Sequence, residues 1–254
     1  MNPMISIVVS GVRPELWLDL CNSVGESKTS FEAIFVGPNP PDYQLPGNVH
    51  FIRSDTKPVQ CFEIGTRLAL GKYLMMMADD VFFEGTNPLD SLYKEFLAYN
   101  TEKLMLSCRL KQILPQGVRV YSEGDHLPAG DNSFGEVILP TGVFMDKTYY
   151  GYLGGLDRNF IAVYWDLDLC FRVVEDGGIT RLSTVWIAEQ CFRCNLDPTI
   201  SMWHSYGNID KGITLKQFWP MFGIHNNFKR ITLVEPFADE DILTRSQGPK
   251  GKWV

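Results

Sequence analysis

From residue 4 to residue 78 the chain alternates wholly apolar runs with runs whose apolar residues recur every three or four positions. Residues 4–10 are apolar and β-branched almost throughout, the composition of a strand covered on both faces. Gly11 frees the backbone behind it, Pro14 sits where a first helical turn begins, and Leu16, Leu20 and Val24 follow at helical spacing. Residues 31–37 read as a second strand, closed by the breaker cluster Gly37, Pro38, Asn39, Pro40 and Pro41, and residues 49–53 as a short third one. Pro58 opens a helix over 58–70, with Phe62, Gly65, Leu68 and Ala69 on its buried faces, and residues 73–78 form a fourth strand. This order predicts an α/β fold with a mostly parallel central sheet, right-handed crossovers and flanking helices. Ligands of such sheets gather at the carboxyl ends of the strands, here Ser10, Gly37 and Asp79.

The second half is less regular. A helix is expected at 88–99, strands at 104–108, 118–122, 137–139 and 141–146, a helix at 166–175, a strand at 184–188 and a helix at 215–222. The tail from residue 235 is charged, ends in a Gly- and Lys-rich stretch, and is expected to be mobile. With no internal repeat and no clean linker, residues 1–234 read as one domain and 235–254 as a tail.

Composition narrows the function classes. The 254 residues are 45% hydrophobic and 21% charged, enough for a large core. A net charge of -7 argues against a broad nucleic-acid-binding face. The start leaves no room for a signal peptide, and no run approaches the roughly 20 apolar residues of a membrane span, so a cytoplasmic protein is expected. Six cysteines scattered among apolar residues suit reduced thiols. Cys191 and Cys194 form a CxxC without a second ligand pair, so no structural zinc is expected there.

The candidate chemistry begins where the apolar run 73–78 ends in Asp79 and Asp80. Adjacent carboxylates on a rigid strand repel each other unless a cation lies nearby, and a divalent metal is the usual occupant; solvated strand punctuation is the bland alternative. Phe62-Glu-Ile-Gly65, Ala69-Leu-Gly-Lys-Tyr-Leu74 and Ala78-Asp-Asp80 together resemble the family 2 glycosyltransferases of GT-A fold, in which an N-x-G…A-x-G-E-Y element leads into Asp-x-Asp. Downstream, Gly154-Gly-Leu-Asp-Arg-Asn-Phe160 and Trp165-Asp-Leu-Asp-Leu-Cys-Phe-Arg172 are similar to the family's G-G-F-D-x-x-F…E-D-x-D-L-x-x-R acceptor segment. The resemblance covers roughly residues 4–205.

That resemblance implies a GT-A (Rossmann-like) domain with a nucleotide-sugar half over about 1–100 and an acceptor half over about 101–234. It implies a metal-dependent transfer of a sugar from a nucleotide-diphosphate donor to a hydroxyl acceptor, a saccharide or glycoconjugate, with inversion at the anomeric carbon. Asp80 matches the second acid of Asp-x-Asp and is the leading ligand for Mn²⁺ or Mg²⁺; His204 would complete that site. Asp79 would contact the donor, while Ala78 replaces the motif's first acid. Asp166 matches the general base; Trp165 replaces the preceding Glu and would lie against an acceptor sugar, near the turn made by Gly155. Ser10, Gly11 and Arg13 stand where the family's first loop approaches base and diphosphate. Asn39 takes the place of an acid that holds the base, and Lys57 is within reach of the donor. Phe62 and Glu63 replace an Arg-Asn pair. On spacing alone, Asp168 belongs to a helix N-terminus and pairs with Arg172 one turn later. Three alternatives remain: a nucleotidyltransferase, a non-catalytic nucleotide-sugar-binding module, and a glycosyltransferase acting on a modified nucleic-acid base.

Overall fold

The structure, a computed structural model, describes residues 2–114, 116–120 and 141–190. The strand expected at 137–139, the helix at 215–222, the Cys191–Cys194 pair, His204 and the tail lie outside the described residues.

The first half follows the pattern closely. β1 (Ile5–Ser10), β2 (Phe31–Gly37) and β3 (Val49–Arg53) are joined in parallel, and β4 (Tyr73–Ala78) runs parallel to β1 on its other side. Successive strand residues point to opposite faces, so the wholly apolar strands feed two cores. Ile5, Ile7 and Val9 enter one core with Trp17 and Leu20 of α1 (Trp17–Ser23) and Leu89, Leu92 and Phe96 of α3 (Pro88–Ala98). Val8, Leu74 and Met76 enter the other with Phe62 of α2 (Pro58–Leu68) and Leu169 and Phe171 of α5 (Trp165–Glu175). Each large side chain buried this way contributes about 1.5–3 kcal/mol.

Pro58 starts α2 at a position whose N–H has no helical partner to lose. Gly65 then brings that helix against the sheet: a Cβ there would lie 2.4 Å from Val8 Cγ1. At the strand ends Gly37 is equally constrained, since its Cβ would lie 1.7 Å from the Gly11 carbonyl oxygen.

Among the described residues the sheet order is β3-β2-β1-β4-β8-β6-β9-β5, with β7 (Gly117–Val120) on β6. Here β5 is Val81–Phe83, β6 Leu104–Leu114, β8 Val143–Asp146 and β9 Ile179–Glu189. β8 runs antiparallel to both β4 and β6, whereas β6 and β9 are parallel, so the second half of the sheet is mixed. β6 and β9 are 11 residues each, longer than the 104–108 and 184–188 expected, because polar residues such as Arg109, Lys111, Thr180 and Arg181 interrupt the apolar signal without breaking the ladder. β5 and the short α4 (Lys147–Tyr152) carry too few residues to show a period. Among the described residues no helix is long and apolar enough to cross a membrane. Cys21, Cys61, Cys108 and Cys170 are free thiols.

The chain leaves β1 toward β2 on one side and returns through α2 to β4 on the other. That reversal opens a crevice at the carboxyl ends of β1 and β4, the usual ligand position in open α/β sheets. Ser10 and Ala78 are register partners across it, which brings the first loop beside Asp79 and Asp80.

Candidate active site

Asp79 and Asp80 are 1% and 5% exposed, although they follow a strand end. Asp79 Oδ2 accepts the backbone N–H groups of Val12 and Arg13, each at 2.7 Å. Its Oδ1 accepts Arg13 Nε at 3.1 Å and Nη2 at 2.6 Å, while Arg13 Nη1 lies 3.0 Å from Asp80 Oδ2. The cation demanded by two adjacent acids is therefore supplied within the chain, by one guanidinium spanning both. Asn39 donates to the Val12 carbonyl at 2.8 Å and Gly11 N–H to the Val36 carbonyl at 3.0 Å, which fixes the loop that carries Arg13. The structure thus brings together Ser10, Gly11, Arg13, Asn39, Asp79 and Asp80. Beside them, Gln190 at the end of β9 donates its N–H to the Asp80 carbonyl at 3.0 Å.

The donor set bears directly on a divalent ion. Asp79 is engaged through both oxygens by N–H donors and does not fit as a ligand. Asp80 does fit, as a single buried hard-oxygen ligand with Arg13 on one side. Among the described residues no three His, Cys, Asp or Glu side chains form a group that could hold a metal.

Lys57 occupies the N-cap of α2 and is 1% exposed. Burial lowers its ammonium to about 8, partly offset by the nearby Cys61 thiol, which burial in turn raises to about 11. The Cys61 thiol bonds to Thr56 Oγ1 at 3.3 Å and also to Ser10, linking this cluster to the end of β1.

The segment over residues 150–172 packs on α2. Val59 N–H donates to the Ile161 carbonyl at 3.2 Å and Gln60 Nε2 to the Phe160 carbonyl at 3.4 Å. Glu63, 3% exposed, accepts Tyr150 Oη at 2.5 Å and Leu156 N–H at 3.2 Å through Oε2, and Arg67 Nε at 2.9 Å through Oε1. Burial raises its carboxyl above the usual range, with these bonds opposing the shift. Gly155, at φ +69°, passes so close that a Cβ would be 2.8 Å from Glu63 Oε2. From the opposite side Arg172 donates to the Leu153 and Gly155 carbonyls at 2.8 and 2.5 Å while pairing with Asp168 at 2.9 Å. Two buried ionic groups therefore clamp one turn. Sequence reasoning saw Arg172 pairing with Asp168 but gave Glu63 no role. Its signal was a carboxylate on an otherwise apolar helix face with Arg67 four residues on.

Asp166 lies in the first turn of α5, partly buried, with Oδ1 accepting the Leu167 N–H at 2.8 Å. Burial raises its carboxyl to about 7, opposed by backbone hydrogen bonds and reinforced by Asp168. The residue that aims this turn, Tyr164, is left-handed at φ 63°, an uncommon conformation for a bulky side chain. Trp165 was expected against a sugar; its ring instead packs on Phe62 with centroids 4.7 Å apart and is 8% exposed, so the structure gives it the role of anchoring α5 to α2.

No protein-family profile matches the sequence, and no curated protein matches it. Solved structures do match its backbone. The crystal structure of GalNAc-T7 with UDP, GalNAc and Mn²⁺ superposes with TM-score 0.56 over 74% of this chain at 12% identity. That of S. aureus TarS 1-349 does so with TM-score 0.55 over 75% at 12% identity, and its complex with UDP-GlcNAc with TM-score 0.54 over 75%. Both are glycosyltransferases of GT-A fold. The chain has the GT-A fold. It spans 44% of the GalNAc-T7 chain and 60% of the TarS 1-349 chain, about half the length of the structures it matches. On this fold the Asp79–Asp80 pair stands at the crevice between β1 and β4, and Asp166 lies in the first turn of the helix after the clamped turn.

Proposed function

We propose that this chain is a glycosyltransferase that moves a sugar from a nucleotide-diphosphate donor to a hydroxyl acceptor, a saccharide or glycoconjugate, with inversion. The observation that carries the reading is the pairing of two unlike acid sites on a GT-A sheet. One, at the crevice, is compensated by cation and N–H donors; the other, Asp166, is held near about 7 by burial.

The donor lies at the carboxyl ends of β1 and β4, with Ser10, Gly11 and Arg13 of the first loop, Asn39 and Asp79 fixing the nucleotide side. Lys57, at the N-terminus of α2, adds a positive charge toward the diphosphate, where a helix N-terminus also favours anions. A Mn²⁺ or Mg²⁺ ion held by Asp80, with His204 as a further ligand, would neutralise the leaving diphosphate. Asp166 takes the proton of the acceptor hydroxyl as oxygen attacks the anomeric carbon from the side opposite the diphosphate, and a carboxylate near 7 is well matched to that task. Glu63 and Arg172 hold the turn at Gly155 that borders the acceptor.

Neighbouring structures hold UDP and UDP-GlcNAc, so UDP-sugars are the first donors to test. Titration of the chain with UDP and a panel of UDP-sugars, with and without Mn²⁺, followed by thermal shift and calorimetry, tests the reading. Saturable stabilisation that Asp80→Ala weakens is expected. Absence of binding by every nucleotide and nucleotide sugar tried contradicts it.

A further inference from the structure

Arg13 does more than line the crevice. Its guanidinium makes Nε and Nη2 bonds to Asp79 and an Nη1 ion pair to Asp80, with the arginine side chain 14% exposed and the Asp80 side chain 6%. The backbone N–H of the same residue also binds Asp79, so the loop and the guanidinium are fixed by the same acid. A divalent ion bonded to an Asp80 oxygen would share that carboxylate with a guanidinium at ion-pair distance, and two cations at such separation in a poorly solvated crevice repel strongly. The carboxylate satisfies one or the other more readily than both.

We propose that Arg13 is the resident counter-cation of Asp80 and that a divalent metal enters by displacing Nη1 from it, so the donor crevice loads through an exchange of cations. The inference rests on the reading of Asp80 as the metal ligand. Asp79 keeps its two backbone bonds through the exchange and holds the loop in place, while the guanidinium released from Asp80 turns its positive charge toward the diphosphate that arrives with the metal. Arg13 thereby sets the metal affinity of the donor-free protein, and its long side chain swings off Asp80 while its backbone N–H stays on Asp79.

The test is Mn²⁺ binding without nucleotide, by calorimetry on the full chain in low salt, for the wild type, Arg13→Lys, Arg13→Gln, Asp80→Asn and the Arg13→Gln/Asp80→Asn double variant. Removing the competing charge should tighten Mn²⁺ binding about tenfold or more in Arg13→Gln, with Arg13→Lys in between. Binding should vanish in both variants that lack Asp80. If Arg13→Gln does not fold without metal, Arg13→Lys alone decides, because it keeps a cation but not the forked bridge. Equal or weaker Mn²⁺ affinity in the Arg13 variants, still abolished by Asp80→Asn, overturns the exchange and leaves the metal role of Asp80 standing. No Mn²⁺ binding by any form, donor present or absent, overturns the metal role itself.

Discussion

At the end of β4, two carboxylates meet two backbone N–H groups and a guanidinium that makes three further contacts; at the start of α5, Asp166 is partly buried beside another acid, Asp168, and accepts its neighbour's N–H. The first arrangement stabilises charge before any ligand arrives. The second penalises it, and so leaves a carboxylate that binds and releases a proton near about 7. The two halves of the sheet build these environments differently. Parallel strands deliver Asp79 and Asp80 to a crevice where the first loop folds over them, while the second half positions Asp166 through a helix whose first turns are pinned by Phe62, Arg172 and the clamped turn at Gly155. On the proposed function, the compensated pair serves the anionic leaving group and Asp166 the acceptor hydroxyl.

The sharpest way to break this comparison is Asp166→Asn. It should lower turnover by about 10²–10⁴-fold while donor affinity stays within about twofold, measured by nucleotide release and by calorimetry; lost donor affinity with retained turnover would move Asp166 to the donor side. Asp79→Ala comes next. It strips Asp79 from Val12 N–H, Arg13 N–H and two nitrogens of the guanidinium, and should cost about 3–5 kcal/mol of stability in chemical denaturation; a loss below about 1 kcal/mol would show that the network contributes little. A smaller effect is expected from Glu63→Ala, which leaves Tyr150 Oη and Leu156 N–H unpaired: about 1–3 kcal/mol of stability and a raised acceptor KM, with donor affinity retained. Equal losses for donor and acceptor would show that Glu63 supports the whole domain rather than the acceptor turn.

Much of this was legible in the amino-acid order. β2 and β4 begin and end where their apolar runs do, because strands buried on both faces tolerate few polar residues. Asp79 and Asp80 stood out at the junction of an apolar strand and a turn, and Asp166 through the resemblance of its segment to a family motif. Their partners did not. Arg13 lies 66 residues from Asp79, and only the Ser10–Ala78 register brings them together. Glu63 lies 93 residues from Leu156, and its role appears once α2 is seated on the acceptor turn. Trp165 looked like a sugar platform because an aromatic beside a base has two uses, exposed stacking or core packing, and tertiary contact with Phe62 selects the second. β5 and α4 escaped because three and six residues carry no period.

The pH dependence of kcat/KM for donor turnover tests the account most directly. Burial raises the Asp166 carboxyl to about 7, so at lower pH the base is protonated and inactive. Rates should rise about tenfold per pH unit below 7, level off, and decline above about 8 as Lys57 loses its charge. The same shift makes folding stability fall as pH rises from about 4 to about 7, because over that window the folded chain retains a proton that the unfolded chain has released. In Asp166→Asn the acidic limb should disappear and that stability slope should shrink to the part contributed by the raised Glu63 carboxyl. A rate that stays flat between pH values of about 5 and 7 in the wild type, or an acidic limb retained in Asp166→Asn, would contradict the assignment of Asp166 as the base.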